Sequence, residues 1–289
     1  MAPVPTSEHA QAMVCYRHPR SEATVRCSSC DRPICTDCMV FQHVIKCPDC
    51  AGTPTGPRKA ATRARIAAGS GAGEIVTRVL IGANVAVFVA QIAEAGNIRG
   101  LSGRLFQDGA LYGPLVADGD WWRLVTYAFL HAGFLHIAFN MLMLWWFGRP
   151  LEALIGRGRF LGVFAVAILA GAAGALIVSP GTASVGASGA VFGILGAGLV
   201  LERARIPVFG GAALVVVFVN LALSFVLSNV TIGGHLGGLV GGMLAMLALS
   251  GFGRKHLVYG RIGALEVFGL VALAAASVAI AYARARGLA

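Results

Sequence analysis

Seven apolar runs, each long enough or nearly long enough to cross a bilayer, limit what this chain can fold into more than any other feature. They lie at about 76–94, 124–147, 160–178, 185–201, 206–227, 230–250 and 262–283. A hydrocarbon core of about 30 Å takes roughly 20 apolar residues as a helix. No water is available there to pair backbone N–H and C=O groups, so only helices or closed barrels can span, and runs of this length select helices. Of 289 residues, 57% are hydrophobic and 12% charged, with a mean hydropathy of +0.75. That composition excludes an ordinary soluble domain, in which about a quarter of the residues are charged. The expected fold class is an all-α polytopic membrane protein.

The net charge of +10 does not call for nucleic acid, because the Lys and Arg residues lie mostly beside apolar runs, where they suit cytosolic loops and anionic headgroups. Arg58 to Arg78 precede the first run, and Arg149, Arg157 and Arg159 follow the second. Arg203 and Arg205 follow the fourth, and Arg254, Lys255 and Arg261 the sixth. The alternate loops, Ser179 to Ser184 and Ser228 to Asn229, carry no charge. If all seven runs span, the amino terminus is cytosolic and the carboxyl terminus outside, in the plasma membrane; Arg284 and Arg286 at the outer end run against this. The first 20 residues include Glu8 and His9 but no apolar core, so no cleavable signal peptide is expected. Between Gly96 and Arg123 a longer connection carries Trp121, Trp122, Asp108, Asp118 and Asp120. Trp122-Arg123 there reads first as an interfacial anchor and second as part of a site.

All seven cysteines fall between Cys15 and Cys50. Cys15-x2-His18, Cys27-x2-Cys30, Cys35-x2-Cys38 and Cys47-x2-Cys50 form four ligand pairs, and two-residue spacing lets one turn present two ligands to a tetrahedral Zn²⁺. Seven is an odd number for disulfides, His18 fills the eighth place, and the basic flank points to the reducing cytosol. Eight ligands suit two structural zinc ions, with His43 left as a surface side chain. About fifty residues bury too little to fold alone, so metal would supply most of the folding free energy. The pattern resembles B-box-like, cross-braced zinc fingers, which implies that the first and third pairs share one ion and the second and fourth the other; sequential pairing is the alternative. Residues 51 to 73, with Arg58, Lys59, Arg63 and Arg65, read as a flexible basic linker.

The apolar part holds few groups capable of chemistry. Ser188, in Gly186-Ala187-Ser188-Gly189, opens the fourth run. His235 lies in the sixth with Gly234, Gly238 and Gly242, and His131, His136 and Asn140 lie in the second. Polar groups inside spans usually face a bundle interior or cavity. On the expected topology Ser188 and His235 share a depth, and small residues on each helix allow close approach. A serine hydroxyl needs a base to become a nucleophile. The fourth to sixth runs carry no Asp or Glu except Glu202, so a dyad is expected rather than a triad. His136 and Asn140, at i and i+4, can both donate to an oxyanion, together with the backbone N–H of Ser188. Small-residue helix packing and an interhelical hydrogen bond are the plainer readings of the same residues. His256, in a basic loop, is a solvated side chain.

At these residues the chain resembles the rhomboid intramembrane serine proteases. Gly186-Ala187-Ser188-Gly189 is similar to the family's nucleophile motif, His235-x2-Gly238-x3-Gly242 to its base motif, and His136-x3-Asn140 to its oxyanion motif. Trp122-Arg123 is similar to its loop signature, His131 to its upstream histidine, and Gly148-x2-Leu151-Glu152 to the turn after its second helix. The resemblance implies a six-helix core that cleaves single-span membrane protein substrates near their outer ends, with no cofactor for catalysis. The organisation expected is a zinc-binding module at 1–52, a linker at 53–74, the core at 75–250, and a loop with a seventh helix at 251–289. The zinc module would face an unknown cytosolic partner. Two other functions compete: an inactive rhomboid-like binder of membrane helices, which would not need Ser188, His235, His136 and Asn140 together, and a transporter, which predicts repeats between halves that the sequence lacks. A soluble esterase elbow would need Gly at Ala190.

Overall fold

The computed structural model describes residues 13–50 apart from 24 and 43, and residues 74–287 apart from 205, 207, 227–230 and 251–261. The expected linker, His43, Arg205, Ser228, Asn229, Arg254, Lys255, His256 and Arg261 lie outside the described residues. The chain divides into two compact units, Met1–Gly69 and Ser70–Ala289.

In the first unit two small antiparallel pairs, β1 (Val25–Arg26) with β2 (Pro33–Ile34) and β3 (Val40–Gln42) with β4 (Val44–Lys46), carry the cysteine turns. The core is almost entirely ligand side chains. Among the described residues Ile34 is its one fully buried aliphatic residue, beside Cys15, Cys27, Cys35, Cys38 and Cys47. So little apolar area among the described residues does not by itself offset the entropy of ordering the segment.

The second unit is helical. Its elements are α1 (Ile75–Ala95), α2 (Arg104–Gly109), α3 (Gly113–Ala117), α4 (Arg123–Phe129), α5 (Phe134–Ile155), α6 (Arg157–Val178), α7 (Ser188–Arg203), α8 (Ala212–Val226), α9 (Ile232–Ser250) and α10 (Ala264–Arg286). Each apolar run thus holds a helix, but the runs are not seven equal spans. Among the described residues, α1, α6, α9 and α10 are long and apolar enough to cross a membrane. The second run is broken: α4 and α5 meet at 96° across Leu130 to Gly133, where Gly133 has φ 104°. α7 has 16 residues, about 24 Å at 1.5 Å per residue, which is short of a hydrocarbon core of about 30 Å. It starts at Ser188, not at 185, because Gly186 (φ 125°) turns the chain just before it.

α9 forms the centre, between α6 and α7, and its glycines explain how. Gly233, Gly237 and Gly241 face α6, where a Cβ would run into the carbonyls of Gly174 and Ala170 or the side chain of Ala170. Gly238 and Gly242, one position along, face α7, where a Cβ would run into the carbonyls of Gly189 and Gly193. Two glycine stripes at four-residue spacing therefore give one helix two backbone-to-backbone contacts. At the other end of the bundle the fully buried Glu152 caps α1: its carboxylate accepts from the N–H groups of Val76 (2.9 Å) and Thr77 (2.8 Å) and from Thr77 Oγ1 (2.7 Å). These are first-turn donors with no partner inside the helix.

Candidate active site and metal centres

Ser188 is the first residue of α7 and half-buried. The segment before it is pinned from three sides. Ser184 exchanges two backbone hydrogen bonds with Leu111 (3.0 and 2.9 Å), and the N–H of Gly186 donates to the carbonyl of Tyr127 (2.9 Å). Thr231 Oγ1, at the head of α9, donates to Ser184 Oγ (3.1 Å). Tyr127 is fully enclosed and its hydroxyl donates to the carbonyl of Ile168 in α6 (2.8 Å).

His136 comes to this turn from α5. A Cβ added to Gly186 would lie 2.8 Å from both Cε1 and Nε2 of His136 and 3.8 Å from Ser188 Oγ. Only glycine therefore leaves room for the imidazole and the hydroxyl to converge. The N–H of Ala132 donates to His136 Nδ1 (3.3 Å), which makes Nδ1 an acceptor. In the neutral ring the hydrogen is then on Nε2, the nitrogen that faces Gly186 and Ser188. Asn140 is buried one turn further along, and its Nδ2 donates to the carbonyl of His136 (2.9 Å). That bond uses one of the amide's two hydrogens.

His235 is buried in the first turn of α9, its ring stacked on Phe192 at 4.3 Å between centroids and 14° between planes. Phe192 is at i+4 from Ser188 and so on the same face of α7. Beside them a Cβ at Gly189 would lie 3.2 Å from the carbonyl of Gly234, so the residues adjoining Ser188 and His235 are in contact. His136 thus reaches the turn that carries Ser188, and His235 packs on the face of α7 that Ser188 begins.

The remaining expected site residues lie further out. His131 is fully buried, edge-on to His136 at 5.2 Å. Its backbone is held by Gln91 of α1, whose Oε1 accepts from its N–H (2.9 Å). Trp122 is exposed and donates through Nε1 to the carbonyl of Asp108 (2.9 Å). Arg123 departs from the interfacial-anchor reading. It is 3% exposed and holds the carboxylate of Asp120 (2.9 Å) and the carbonyls of Gln107 (2.7 Å) and Ala110 (2.9 Å). It fastens the end of α2, where unpaired carbonyls favour a cation. Sequence reasoning missed Tyr127, Phe192, Thr231 and Ser184. Tyr127 and Thr231 are polar residues at the edges of apolar runs, which is the one signal that could have singled them out.

The cysteine pairs assemble into two clusters. Cys15, His18, Cys35 and Cys38 form one and Cys27, Cys30, Cys47 and Cys50 the other, with all ligand atoms of each within 4.8 Å of one another. This is the cross-braced arrangement. A tetrahedron with bonds of about 2.3 Å to sulfur and about 2.0 Å to nitrogen separates sulfurs by about 3.8 Å and nitrogen from sulfur by about 3.5 Å. His18 Nδ1 is 3.9, 3.3 and 3.4 Å from the sulfurs of Cys15, Cys35 and Cys38, and those of Cys30 and Cys47 are 3.7 Å apart. The donor set and spacing fit a divalent zinc-like ion. Crowding sets the thiols against one another. Burial opposes ionisation of Cys15, but backbone N–H groups from Cys35, Arg17 and His18 outweigh it and draw the thiol down to about 6. Burial and the neighbouring Cys15 and Cys35 push Cys38 up to about 12. A dication held between them would supply the charge that lets neighbouring thiolates coexist.

Comparison with known proteins gives a consistent picture. Residues 118–252 match the family model of the Rhomboid domain. The chain is 40% identical to the rhomboid protease GluP of Bacillus subtilis over 158 residues, 52% of this chain and 31% of that protein. It is also 40% identical to the putative rhomboid protease YdcA of the same organism over 134 residues, 45% of this chain and 67% of that protein. With RHOMBOID-like protein 5 of Arabidopsis thaliana it shares 35% identity over 145 residues, 46% of each chain. The chain therefore spans about a third of GluP and two thirds of YdcA.

Proposed function

This chain belongs to the rhomboid family, and from that premise we propose that it is an intramembrane serine endopeptidase acting through a dyad of Ser188 and His235. The observation that carries the reading is the convergence at Gly186: His136 Nε2 and Ser188 Oγ both surround the position a Cβ would take. Ser188 Oγ attacks the substrate carbonyl carbon as His235 takes its proton. The negative charge that develops on the carbonyl oxygen is met by the Nε2–H of His136, which faces the turn, with the second hydrogen of the Asn140 amide and the N–H of Ser188 as the further donors. His235 then returns the proton to the leaving amine. Water repeats the cycle on the acyl-enzyme and frees Ser188. Phe192 holds the base against the face of α7.

The substrates are single-span membrane proteins, cut near the outer face. In support, α7 is about 24 Å long by its residue count, so with its arginine end at the cytosolic surface Ser188 lies below the outer surface. The zinc module holds two structural Zn²⁺ ions, one in each cross-braced cluster; its ligand sets are complete without water, which marks a structural site. A fluorophosphonate probe tests the dyad directly. The wild-type protein is expected to be labelled at Ser188, and Ser188→Ala and His235→Ala to stay unlabelled; equal labelling of all three would remove the dyad.

A further inference from the structure

α10 lies outside residues 118–252, which match the family, and it is the most peripheral of the long helices. Only 11% of its most apolar stretch is buried, against 56% of α6. Even so, it is fastened at several points along its length. Glu266 pairs with the buried Arg159 at the start of α6 (3.2 Å). Leu270 fills the notch left by Gly162, where a Cβ would come within 2.6 Å of its Cδ1. Gly269 rests against Ala248 of α9, leaving 3.0 Å to a built Cβ. Near the far end, Ala281 and Ala285 are fully buried, and Arg284 donates to the carbonyl of Ile177 (3.3 Å) at the end of α6. α10 therefore runs parallel to α6 along its whole length.

What lies at that far end connects α10 to the catalytic turn. α10 packs against α3, a five-residue helix too short to hold its own place. Gly113, its first residue, donates to the carbonyl of Pro180 (3.0 Å), and two residues earlier Leu111 makes the paired bonds to Ser184. Ser184 is four residues before Ser188. We propose that α10 is a positioning element for Ser188: packed on α3, it clamps the Leu111 to Ala117 segment onto the Ser184 to Ala187 segment that aims the serine. The inference rests on Ser188 being the nucleophile. It separates α10 from a mere anchor, because an anchor would leave the geometry of the turn indifferent to how α10 packs.

The test uses the full chain in liposomes. Ala285→Leu overfills a fully buried position and pushes the end of α10 away from its neighbours. Leu270→Ala loosens its grip on α6 from a distance. Ala285→Leu is expected to slow both fluorophosphonate labelling and kcat about tenfold, with KM unchanged, since small displacements of a nucleophile act on the reacting geometry. Leu270→Ala is expected to slow both about threefold, and Ala285→Ser to match the wild type. Should Ala285→Leu fail to fold, Leu270→Ala decides alone. A labelled wild type with folded Ala285→Leu and Leu270→Ala variants that react at its rate would overturn the brace and leave the nucleophile standing. An unlabelled wild type would overturn both.

Discussion

At the residue scale the proposed chemistry turns on a few atoms around Gly186. Gly186→Ala would drive a Cβ into His136 from a backbone at φ 125°, so the variant is expected to keep its helices and lose activity; wild-type turnover would show that the imidazole has room to move. His136→Ala and Asn140→Ala are expected to lower kcat about 10² to 10³-fold with less effect on KM, as loss of an oxyanion donor does. If Asn140→Ala turned over at the wild-type rate, its bond to the carbonyl of His136 would be its whole role. Ser188, His235, His136 and Asn140 were legible because few polar groups interrupt the apolar runs, so each one stood out. Tyr127, Phe192 and Thr231 were not. An aromatic in an apolar run reads as core until tertiary contact puts Phe192 against His235, and a hydroxyl at the edge of a run reads as its boundary until contact puts Tyr127 against Ile168 and Thr231 against Ser184. Arg123 was placed at the headgroups because arginine beside tryptophan suits an interface; the carbonyls at the end of α2 drew it inward instead.

At the element scale the double glycine stripe of α9 makes the sharpest demand. Gly238→Ala puts a Cβ onto the carbonyl of Gly189, which as backbone cannot yield. The expected cost is about 1 to 3 kcal/mol, with loss of activity as His235 moves away from α7. Gly82→Ala, where a Cβ meets nothing within 4 Å, is the control. It should be neutral or stabilise by up to about 1 kcal/mol, and thermal unfolding in detergent separates the two. Glu152→Ala leaves three donors at the head of α1 without an acceptor, an expected loss of about 3 kcal/mol. A variant that melts with the wild type would mean that water replaces the carboxylate. The four-residue spacing of small residues was visible in the sequence, and so was the helical class of every run. The break between α4 and α5 was not, because Leu130-His131-Ala132-Gly133 is apolar enough to pass for span. The late start of α7 was hidden in the same way, since hydropathy does not register the backbone turn at Gly186.

On the scale of the whole molecule, two units built on different physics share one chain. One gathers two ligand clusters around almost no apolar core among its described residues, and the other is held by close helix contacts with no cysteine at all. The spacing of ligands in the sequence set their number, and the folded turns bring the first pair to the third and the second to the fourth, the pairing that the resemblance to cross-braced fingers implied over the sequential one. Deleting residues 1–56 is expected to remove about two zinc ions per chain and to leave cleavage of a membrane substrate largely intact. One zinc ion per full-length chain would refute the paired sites, and a folded but inactive truncation would bring the module into catalysis. For the membrane unit, a cysteine at the exposed Thr182, in a background without the native ones, should react with an impermeant maleimide from outside; labelling only after lysis would invert the proposed topology. The central claim is that this integral membrane protein cuts peptide bonds with Ser188. Its most direct test reconstitutes the purified full-length chain in liposomes with a model single-span substrate and follows the fragments. The wild type should release a product cut near the outer end of the substrate's span and Ser188→Ala should release none, whereas equal cleavage by both would contradict the claim.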